Sequence, residues 1–269
     1  MEENKIFHFI PVPKRTTKPR LTGLTMVEGD YMCAVAGMNW LRDLVEWGGD
    51  YIDYFKVGHP MMFQAKDLVV RKLALLKEHK ISPYIGGNTT EAVIKQGRVD
   101  EFLEELNALG INTMEVSSTV LPLALEEKVK TIRKARERGF TVFAEVGKKL
   151  IRAGGPQDAM PTSQVIGEMK ECLKAGATKV VYEHTEIEQL RSEGAAREVM
   201  EVAAAVGADD IMFEVPIVQW KEASPYAAFF IEHFGPNVNI GDVDPKHVLM
   251  LEALRNGLTH RTFGKVTPA

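Results

Sequence analysis

Two lysines follow a glutamate in a short run whose composition suits acid–base chemistry. The run is Glu145-Val146-Gly147-Lys148-Lys149, and it closes an apolar segment typical of a buried strand. A lysine that points into a partly desolvated cleft has a lowered pKa and can exchange protons near neutral pH. It can also stabilise an enolate as negative charge develops. The alternative interpretation is a solvated lysine pair on a surface loop.

Four glutamates form a second candidate group, because each stands at or just past the end of a successive apolar run. They are Glu115, Glu145, Glu183 and Glu214. Carboxylates that converge at short range repel one another unless they are protonated or bind a cation. Hard oxygen donors without nearby cysteine–histidine motifs favour Mg²⁺ over Zn²⁺. We therefore predict that two or three of these glutamates hold one magnesium ion. The alternative is a structural network in which each glutamate pairs with a lysine or an arginine.

Two glycine-containing segments are candidate anion sites. Gly86 and Gly87 follow the third apolar run, where backbone N–H groups suit an oxyanion or a phosphate. A tight strand-to-helix turn needs the same two residues. The last apolar run contains Gly241, which fits a phosphate-binding position of barrel folds, while Asp242 beside it argues against an anion.

The histidines are less informative than the lysines and the glutamates. His59 and His184 lie just past the ends of the second and sixth apolar runs, so both could line one opening. The remaining histidines fall in the N-terminal arm or on helices and loops, and we interpret them as structural or solvated. The sequence has no serine–histidine–aspartate order and no nucleophile elbow, so covalent hydrolase chemistry is not supported.

The elements that must position these residues are eight short apolar runs, spaced at about one strand plus one helix. The runs are Leu21–Val27, Tyr51–Val57, Ile81–Ile85, Thr113–Val116, Thr141–Val146, Lys179–Tyr182, Asp210–Val215 and Val238–Val243. Helical patterns lie between them, at Leu41–Trp47, Ala65–His79, Arg98–Leu109, Leu125–Arg138, Ser163–Ala175, Ala195–Val206 and Pro245–Asn256. Alternating strands and helices imply a parallel sheet. In a closed parallel barrel the carboxyl ends of the strands meet at one mouth, where active sites lie.

We therefore predict an α/β fold, a (β/α)₈ TIM barrel in a single domain over residues 21–269, with a basic arm over residues 1–20. The length of 269 residues matches the roughly 250 that such a barrel takes. An open doubly wound sheet is the competing fold, but no strong glycine-rich dinucleotide turn follows the first run. The glycine- and proline-rich segment Leu150–Pro161 is either a lid or a passive loop.

Composition excludes several classes of function. A net charge of −4 gives no electrostatic footprint for nucleic acid. No apolar stretch reaches the roughly 20 residues that span a bilayer, so no membrane partner is expected. The first residues lack the pattern of a signal peptide, and Cys33 and Cys172 have no partner spacing. We expect a cytoplasmic protein with reduced thiols, and the sequence leaves a homo-oligomer open.

Segments spread over nearly the whole chain resemble the phosphosulfolactate synthases, in the same order. The two most specific are Glu145-Val146-Gly147-Lys148-Lys149 and Thr262-Phe263-Gly264-Lys265-Val266. The others are Lys18-Pro19-Arg20 with Gly23-Leu24-Thr25-Met26-Val27, Asp50-Tyr51-Ile52-Asp53 with Lys56 and Gly58, Gly86-Gly87 with Glu91, Glu115-Val116-Ser117, Phe213-Glu214 with Pro216, Val238-Asn239, and Leu254-Arg255 with Gly257-Leu258.

The resemblance implies a (β/α)₈ barrel that adds sulfite to phosphoenolpyruvate in a Mg²⁺-dependent reaction, giving (2R)-phospho-3-sulfolactate on the route to coenzyme M. It also implies that sulfite attacks the methylene carbon, that magnesium holds the resulting aci-carboxylate, and that a lysine delivers a proton to C2. Lys149 is the first candidate for this acid and Lys148 the second, with Lys56 as a further catalytic candidate. The expected substrate contacts are Arg20, Gly86, Gly87, Ser117, His59, His184 and Asn239.

The loops after four of the runs depart from the family pattern. His59–Met62 replaces small glycine and hydroxyl residues, and His184–Glu188 replaces a segment with an arginine and glycines. The loops after the third and fourth runs also differ. This pattern leaves three hypotheses open: the family reaction, the same enolate chemistry with another nucleophile or small carboxylate, and a non-catalytic, stress-related barrel. The retained Glu115, Glu145 and Lys149 argue against the third hypothesis.

Overall fold

A computed structural model of the protein describes residues 6–30, 37–121, 123–149, 160–187 and 196–266. Eight parallel strands form a closed barrel, in which each strand pairs with the next and the last pairs with the first. The strands are β1 Thr25–Val27, β2 Tyr54–Val57, β3 Ser82–Ile85, β4 Thr113–Val116, β5 Thr141–Val146, β6 Lys179–Tyr182, β7 Ile211–Glu214 and β8 Asn239–Val243. The predicted (β/α)₈ barrel is confirmed, and each predicted run contains one observed strand.

Helices follow the strands along the chain. They are α1 Met38–Gly48, α2 Lys66–Glu78, α3 Gly87–Lys95, α4 Val99–Leu109, α5 Leu125–Glu137, α6 Thr162–Lys174, α7 Ala196–Val206, α8 Trp220–Phe234 and α9 Val248–Arg255. Two of them, α3 and α8, lie where the sequence analysis assigned no helix. Helix α3 starts with a glycine and contains two threonines, and α8 contains Pro225, so local propensity opposes both. Packing of their apolar faces stabilises them instead.

The two-residue period of the strands determines what fills the barrel. One interior layer is apolar and buried, and consists of Leu24, Met26, Tyr84, Phe143, Val181 and Met212. Four buried glutamates each follow one of these residues by two positions, and are Glu28, Glu145, Glu183 and Glu214. Since side chains two positions apart point to the same face of a strand, the glutamates also point inward. The interior therefore changes from apolar to charged at the carboxyl ends of the strands.

The described part of the N-terminal arm, residues 6–20, contacts the end of the barrel at which the strands begin, opposite their carboxyl ends. Arg15 pairs with Glu252 at 2.9 Å, and Arg20 pairs with Asp53 at 2.9 Å. Asp53 immediately precedes β2, so this contact lies at the amino end of the sheet. The arm thus closes the bottom of the barrel and leaves the mouth to other residues.

In the part of the chain that the structure describes, no helix is long and apolar enough to cross a membrane.

Cys172 is a buried free thiol in α6, and burial raises its pKa to about 11. Cys33 lies outside the described residues, as do residues 150–159 of the segment predicted to be a lid or a passive loop.

Candidate active site

The carboxyl ends of the strands surround a group of ionisable side chains that we call the mouth cluster. Its members are Glu28, Glu115, Glu145, Glu183, Glu214, Asp242, Lys56 and Lys149. The carboxylates and Lys56 are buried, and Lys149 is 25 % exposed. Since acidic residues outnumber lysines, the mouth cluster has an excess of negative charge and attracts cations.

Lys56 is the centre of one half of the mouth cluster. Its Nζ lies 2.9 Å from Glu28 Oε1, 2.9 Å from Asp242 Oδ1 and 3.7 Å from Glu214 Oε1. Burial lowers the pKa of this ammonium, but the carboxylates around it, Asp242 first, raise the pKa well above its ordinary value. Burial and the charge of Asp242 raise the pKa of Glu28 well above its usual range. Lys56 is therefore a fixed positive charge among acids that compete for protons.

Lys149 is the centre of the other half. Its Nζ lies 3.2 Å from Glu145 Oε1 and 3.4 Å from Glu183 Oε2. Burial lowers the pKa of the Lys149 ammonium, but these two carboxylates raise it above its ordinary value, so the lowered pKa predicted from the sequence is wrong for this lysine. Burial would raise the pKa of Glu145, but the Lys149 ammonium, a hydrogen bond with Glu183 and the charge of Lys56 together hold this pKa below its usual range. A charged lysine–glutamate pair is thus held at the open side of the mouth cluster.

His184 stands directly after Glu183 and contacts two carboxylates of the mouth cluster. Its Nδ1 lies 2.9 Å from Glu183 Oε1 and 3.9 Å from Glu214 Oε2. Burial lowers the pKa of this imidazole, but its contacts with both carboxylates raise the pKa to about 11. The ring is therefore an imidazolium at neutral pH and neutralises part of the negative charge.

Glu115 is fixed from two sides. The Tyr84 hydroxyl donates to its Oε2, and the Gly87 N–H donates to its Oε1 at 2.7 Å. A Cβ on Gly87 would lie 2.5 Å from that Oε1 and 2.5 Å from Ser117 Cβ, so the close approach requires glycine. Burial raises the pKa of Glu115 to about 7, although Lys56 opposes the rise. The amide predicted to bind an anionic ligand therefore binds a carboxylate of the protein.

Asp242 reaches the mouth cluster through a left-handed backbone. Gly241 faces the barrel interior, where a Cβ would lie 3.0 Å from Met26 Cε and 3.1 Å from Met212 Cγ. Regular alternation would then turn Asp242 outward. Its φ of 55° and a register shift between β1 and β8 break the alternation. A non-glycine residue in this region costs on the order of 1–3 kcal/mol, and such strain is concentrated at functional sites.

The mouth cluster fits a hard divalent cation. Among the described residues, buried carboxylate oxygens of Glu28, Glu145, Glu183 and Glu214 lie in ion-pair contact with a lysine or with His184 and accept no further hydrogen bond. Glu183 and Glu214 offer carboxylate oxygens, and His184 would offer a ring nitrogen only after it loses its proton; these atoms lie within 4.8 Å of one another. Oxygen-rich donor sets suit Mg²⁺ better than Zn²⁺. The geometry is thus compatible with both predicted roles of the glutamates, pairing with lysines and holding a cation.

Most of the predicted site residues lie at this end of the barrel. Lys56, Lys149 and the four predicted glutamates belong to the mouth cluster, and further predicted residues border it: Gly86, Gly87, Ser117 and His184. Lys148 donates its backbone N–H to Glu186 Oε1 at 2.9 Å. His59 is exposed just past the end of β2.

Two predicted substrate contacts, Arg20 and Asn239, lie at the opposite end. Arg20 Nη1 donates to Asp53. Asn239, the first residue of β8, donates from Nδ2 to the carbonyl oxygens of Asp209 and Ile211 at 2.9 and 3.0 Å. Both side chains make structural hydrogen bonds at the amino end of the barrel, so the structure does not bring them together with the other predicted substrate contacts.

The sequence analysis left three residues of the site unassigned. Glu28 stands two positions past the inward-facing Met26, so its position could have been found from strand alternation. Tyr84 shares the interior layer and contacts Glu115. Asp242 stands near the end of the last apolar run, as the other acids of the cluster do, but alternation alone would point it away from the interior.

The fold and the mouth cluster together define a class of protein: (β/α)₈ barrel enzymes with a site at the carboxyl ends of the strands. A family model described as (2R)-phospho-3-sulfolactate synthase (ComA) matches residues 13–260. The chain belongs to the phosphosulfolactate synthase family and is an enzyme of that family.

Individual relatives match over most of the chain. The phosphosulfolactate synthase of Methanothermobacter thermautotrophicus is 32 % identical over 97 % of this chain and 98 % of its own. The Arabidopsis thaliana protein HEAT-STRESS-ASSOCIATED 32 is 23 % identical over 90 % of this chain and 88 % of its own. The solved structure of orotidine 5′-phosphate decarboxylase from Pyrococcus horikoshii OT3 has a TM-score of 0.54 at 10 % identity, covering 86 % of this chain and 99 % of that one. This last likeness concerns the fold alone.

Proposed function

We propose that the protein catalyses the Mg²⁺-dependent addition of sulfite to phosphoenolpyruvate, giving (2R)-phospho-3-sulfolactate. The observation that carries the proposal is the position of Lys149 at the mouth, with its Nζ within 3.4 Å of Glu145 and Glu183. Membership of the phosphosulfolactate synthase family supports the same activity. The proposal includes a small anionic substrate, a cytoplasmic location and a place on a route to coenzyme M.

The reaction forms one C–S bond and one C–H bond. A lone pair of the sulfite sulfur attacks the methylene carbon of phosphoenolpyruvate, the π electrons move towards C2 and the carboxylate, and C2 then takes up a proton. We assign the donation of that proton to Lys149 Nζ, because Lys149 is the more exposed of the two cluster lysines, at 25 % against 3 % for Lys56. Lys148 is the second candidate. Lys56 supplies fixed positive charge below the reacting atoms.

In this proposal two or three of the predicted glutamates hold the magnesium ion: Glu115, Glu145, Glu183 and Glu214. When bound, the ion supplies positive charge that stabilises the developing carboxylate dianion. The assignment is supported by Glu183 and Glu214, whose buried carboxylates offer oxygens within 4.8 Å of one another.

A second candidate function is the same enolate chemistry with a different nucleophile or a different small carboxylate. His184 favours it, because this ring replaces part of the loop in which the family usually has an arginine and glycines, and it lies 2.9 Å from Glu183. His59, in the rebuilt loop after β2, is the other candidate for a new contact. The third hypothesis from the sequence, a non-catalytic, stress-related barrel, is not proposed, because the chain is an enzyme of the synthase family.

The deciding experiment incubates the purified protein with phosphoenolpyruvate, sulfite and Mg²⁺ and follows the product by mass spectrometry. Formation of phosphosulfolactate is the expected result. If no phosphosulfolactate forms but the protein turns over other small carboxylates, the second candidate function is favoured. A melting temperature that is the same in EDTA and in Mg²⁺ would contradict the proposed magnesium site, since a ligand at 100 times its Kd stabilises a protein by about 2.7 kcal/mol. The same comparison is made with Glu214→Gln, in which we expect Mg²⁺ to raise the melting temperature by less than in the wild type.

A further inference from the structure

The buried carboxylate of Glu91, in helix α3, accepts hydrogen bonds from several consecutive residues of one loop. Its Oε1 accepts the Thr119 N–H at 2.8 Å and also the Ser117 hydroxyl. Its Oε2 accepts the Leu121 N–H at 2.5 Å and the Val120 N–H at 3.2 Å. Glu91 is 1 % exposed. Its carboxylate therefore fixes the backbone of the loop that follows β4.

That loop contacts the mouth cluster through Thr119. The Thr119 carbonyl oxygen accepts the backbone N–H of Lys149 at 3.2 Å. The Thr119 hydroxyl donates to Glu145 Oε2 at 3.3 Å. One residue thus contacts both the backbone of the candidate acid and the carboxylate that pairs with it, and Glu91 holds that residue in place.

We propose that Glu91 is a positioning residue for Lys149 and Glu145, acting through Thr119. The inference rests on the proposed function, in which Lys149 is the proton donor. A carboxylate is required at this position because both oxygens accept hydrogen bonds from N–H groups. A glutamine would direct its own NH₂ donor at one set of these N–H groups and break that half of the contacts. A misplacement of about 1 Å in a catalytic group can cost roughly 10²-fold in rate.

The test compares Glu91→Gln with Asp53→Asn as a matched control. Asp53 is also a buried carboxylate that accepts a backbone N–H, from Thr25 at 2.9 Å, but it lies at the amino end of the barrel. We expect Glu91→Gln to lower kcat by about 10- to 100-fold with little change in KM for phosphoenolpyruvate. Asp53→Asn should lose stability and keep its kcat. An unchanged kcat in Glu91→Gln, or an equal fall in both variants, would overturn the proposal.

A second readout does not depend on turnover. Acetic anhydride labelling in EDTA, followed by mass spectrometry, measures how accessible Lys149 is relative to Lys174, whose side chain is 72 % exposed. Glu91→Gln should increase the relative labelling of Lys149 several-fold, and Asp53→Asn should not. If the wild-type protein forms no product, the proposed function fails and this labelling alone decides the role of Glu91. Unchanged labelling of Lys149 refutes the positioning role whatever the activity.

If Glu91→Gln does not fold, Thr119→Val tests the same connection more gently. Valine keeps the shape and the backbone contacts of Thr119 and removes its hydroxyl, which donates to Glu145 and also contacts Ser117 and Glu91. The expected result is a smaller fall in kcat, and a higher relative labelling of Lys149. If Thr119→Val has the kcat and the Lys149 labelling of the wild-type protein, the positioning role is contradicted.

Discussion

The ammonium nitrogen of Lys56 lies 2.9 Å from Oδ1 of Asp242, although the two residues are 186 positions apart in the sequence. Lys56 is in β2 and Asp242 is in β8, and both strands flank β1 in the closed barrel. Glu28, just past the end of β1, lies 2.9 Å from the same nitrogen. The place where the first and last strands meet is therefore held by backbone pairing and by a buried group of three charges.

Replacing Lys56 with methionine should strongly destabilise the metal-free protein. Methionine fills much of the space but leaves Glu28 and Asp242 buried without their cation, and breaking a buried pair in this way costs about 3–5 kcal/mol. Urea unfolding in EDTA measures the loss. Adding Glu28→Gln and Asp242→Asn to Lys56→Met should recover most of it, because the unpaired charges are then removed. A single variant as stable as the wild type would contradict this account.

Lys149→Ala should lower turnover by roughly 10²–10⁴-fold, the usual contribution of a general acid, while the protein stays folded. Lys148→Ala is the matched control, because it removes the neighbouring lysine and leaves the pair between Lys149 and Glu145 intact. Steady-state kinetics with circular dichroism separates activity from folding. Normal turnover in Lys149→Ala combined with a loss in Lys148→Ala would transfer the role to Lys148.

The free energy of unfolding in EDTA should fall as the pH rises from about 5 to about 8. Burial raises the pKa of Glu115 from 4.5 to about 7, so between these values the folded state binds more protons than the unfolded state. His184 acts in the same direction: the carboxylates raise its pKa from 6.5 to about 11, against the effect of burial. Its contribution is complete below pH 6.5 and is lost as the pH rises further.

Urea unfolding at a series of pH values checks this expectation. Glu115→Gln should flatten the curve between pH 5 and pH 7, since glutamine cannot titrate but can still accept the Gly87 N–H. Glu145, whose pKa is lowered by Lys149 against the effect of burial, contributes stability that is already complete above pH 4.5 and so does not alter the trend. A curve that rises over this range would show that the mouth carboxylates are not held as the structure describes.

Two glycine-to-alanine variants should have opposite effects on stability. In Gly87→Ala the new Cβ would lie 2.5 Å from Glu115 Oε1, so we expect a loss on the order of 1–3 kcal/mol from overpacking. Gly167 lies inside helix α6, is exposed, and has nothing within 4 Å of an added Cβ. Gly167→Ala should therefore stabilise the protein by about 0.5–1 kcal/mol. Thermal or urea unfolding of both variants measures the contrast.

The barrel could be predicted because its signal is local. Each apolar run and its ionisable end lie within one strand, and closure brings those ends together, so Glu145 and Lys149 were found from the sequence. Asp242 could not be placed, because a single left-handed residue reverses the direction that alternation assigns to it. The position of Arg20 depends on a contact with Asp53, 33 residues away, which no local pattern reveals. Helix α8 was missed because Pro225 lowers the local helix propensity, whereas tertiary packing stabilises the helix.

The pairing of Thr25 in β1 with Ile240 in β8 also determines when the sheet can close during synthesis of the chain. The first strand leaves the ribosome long before its neighbour on this side exists, so the nascent sheet has an unpaired edge until almost the whole chain has been synthesised. A polypeptide truncated before residue 239 would lack β8, and the edges of β1 and β7 that pair with it would stay without a partner. Such truncated products should aggregate rather than persist as smaller folded units.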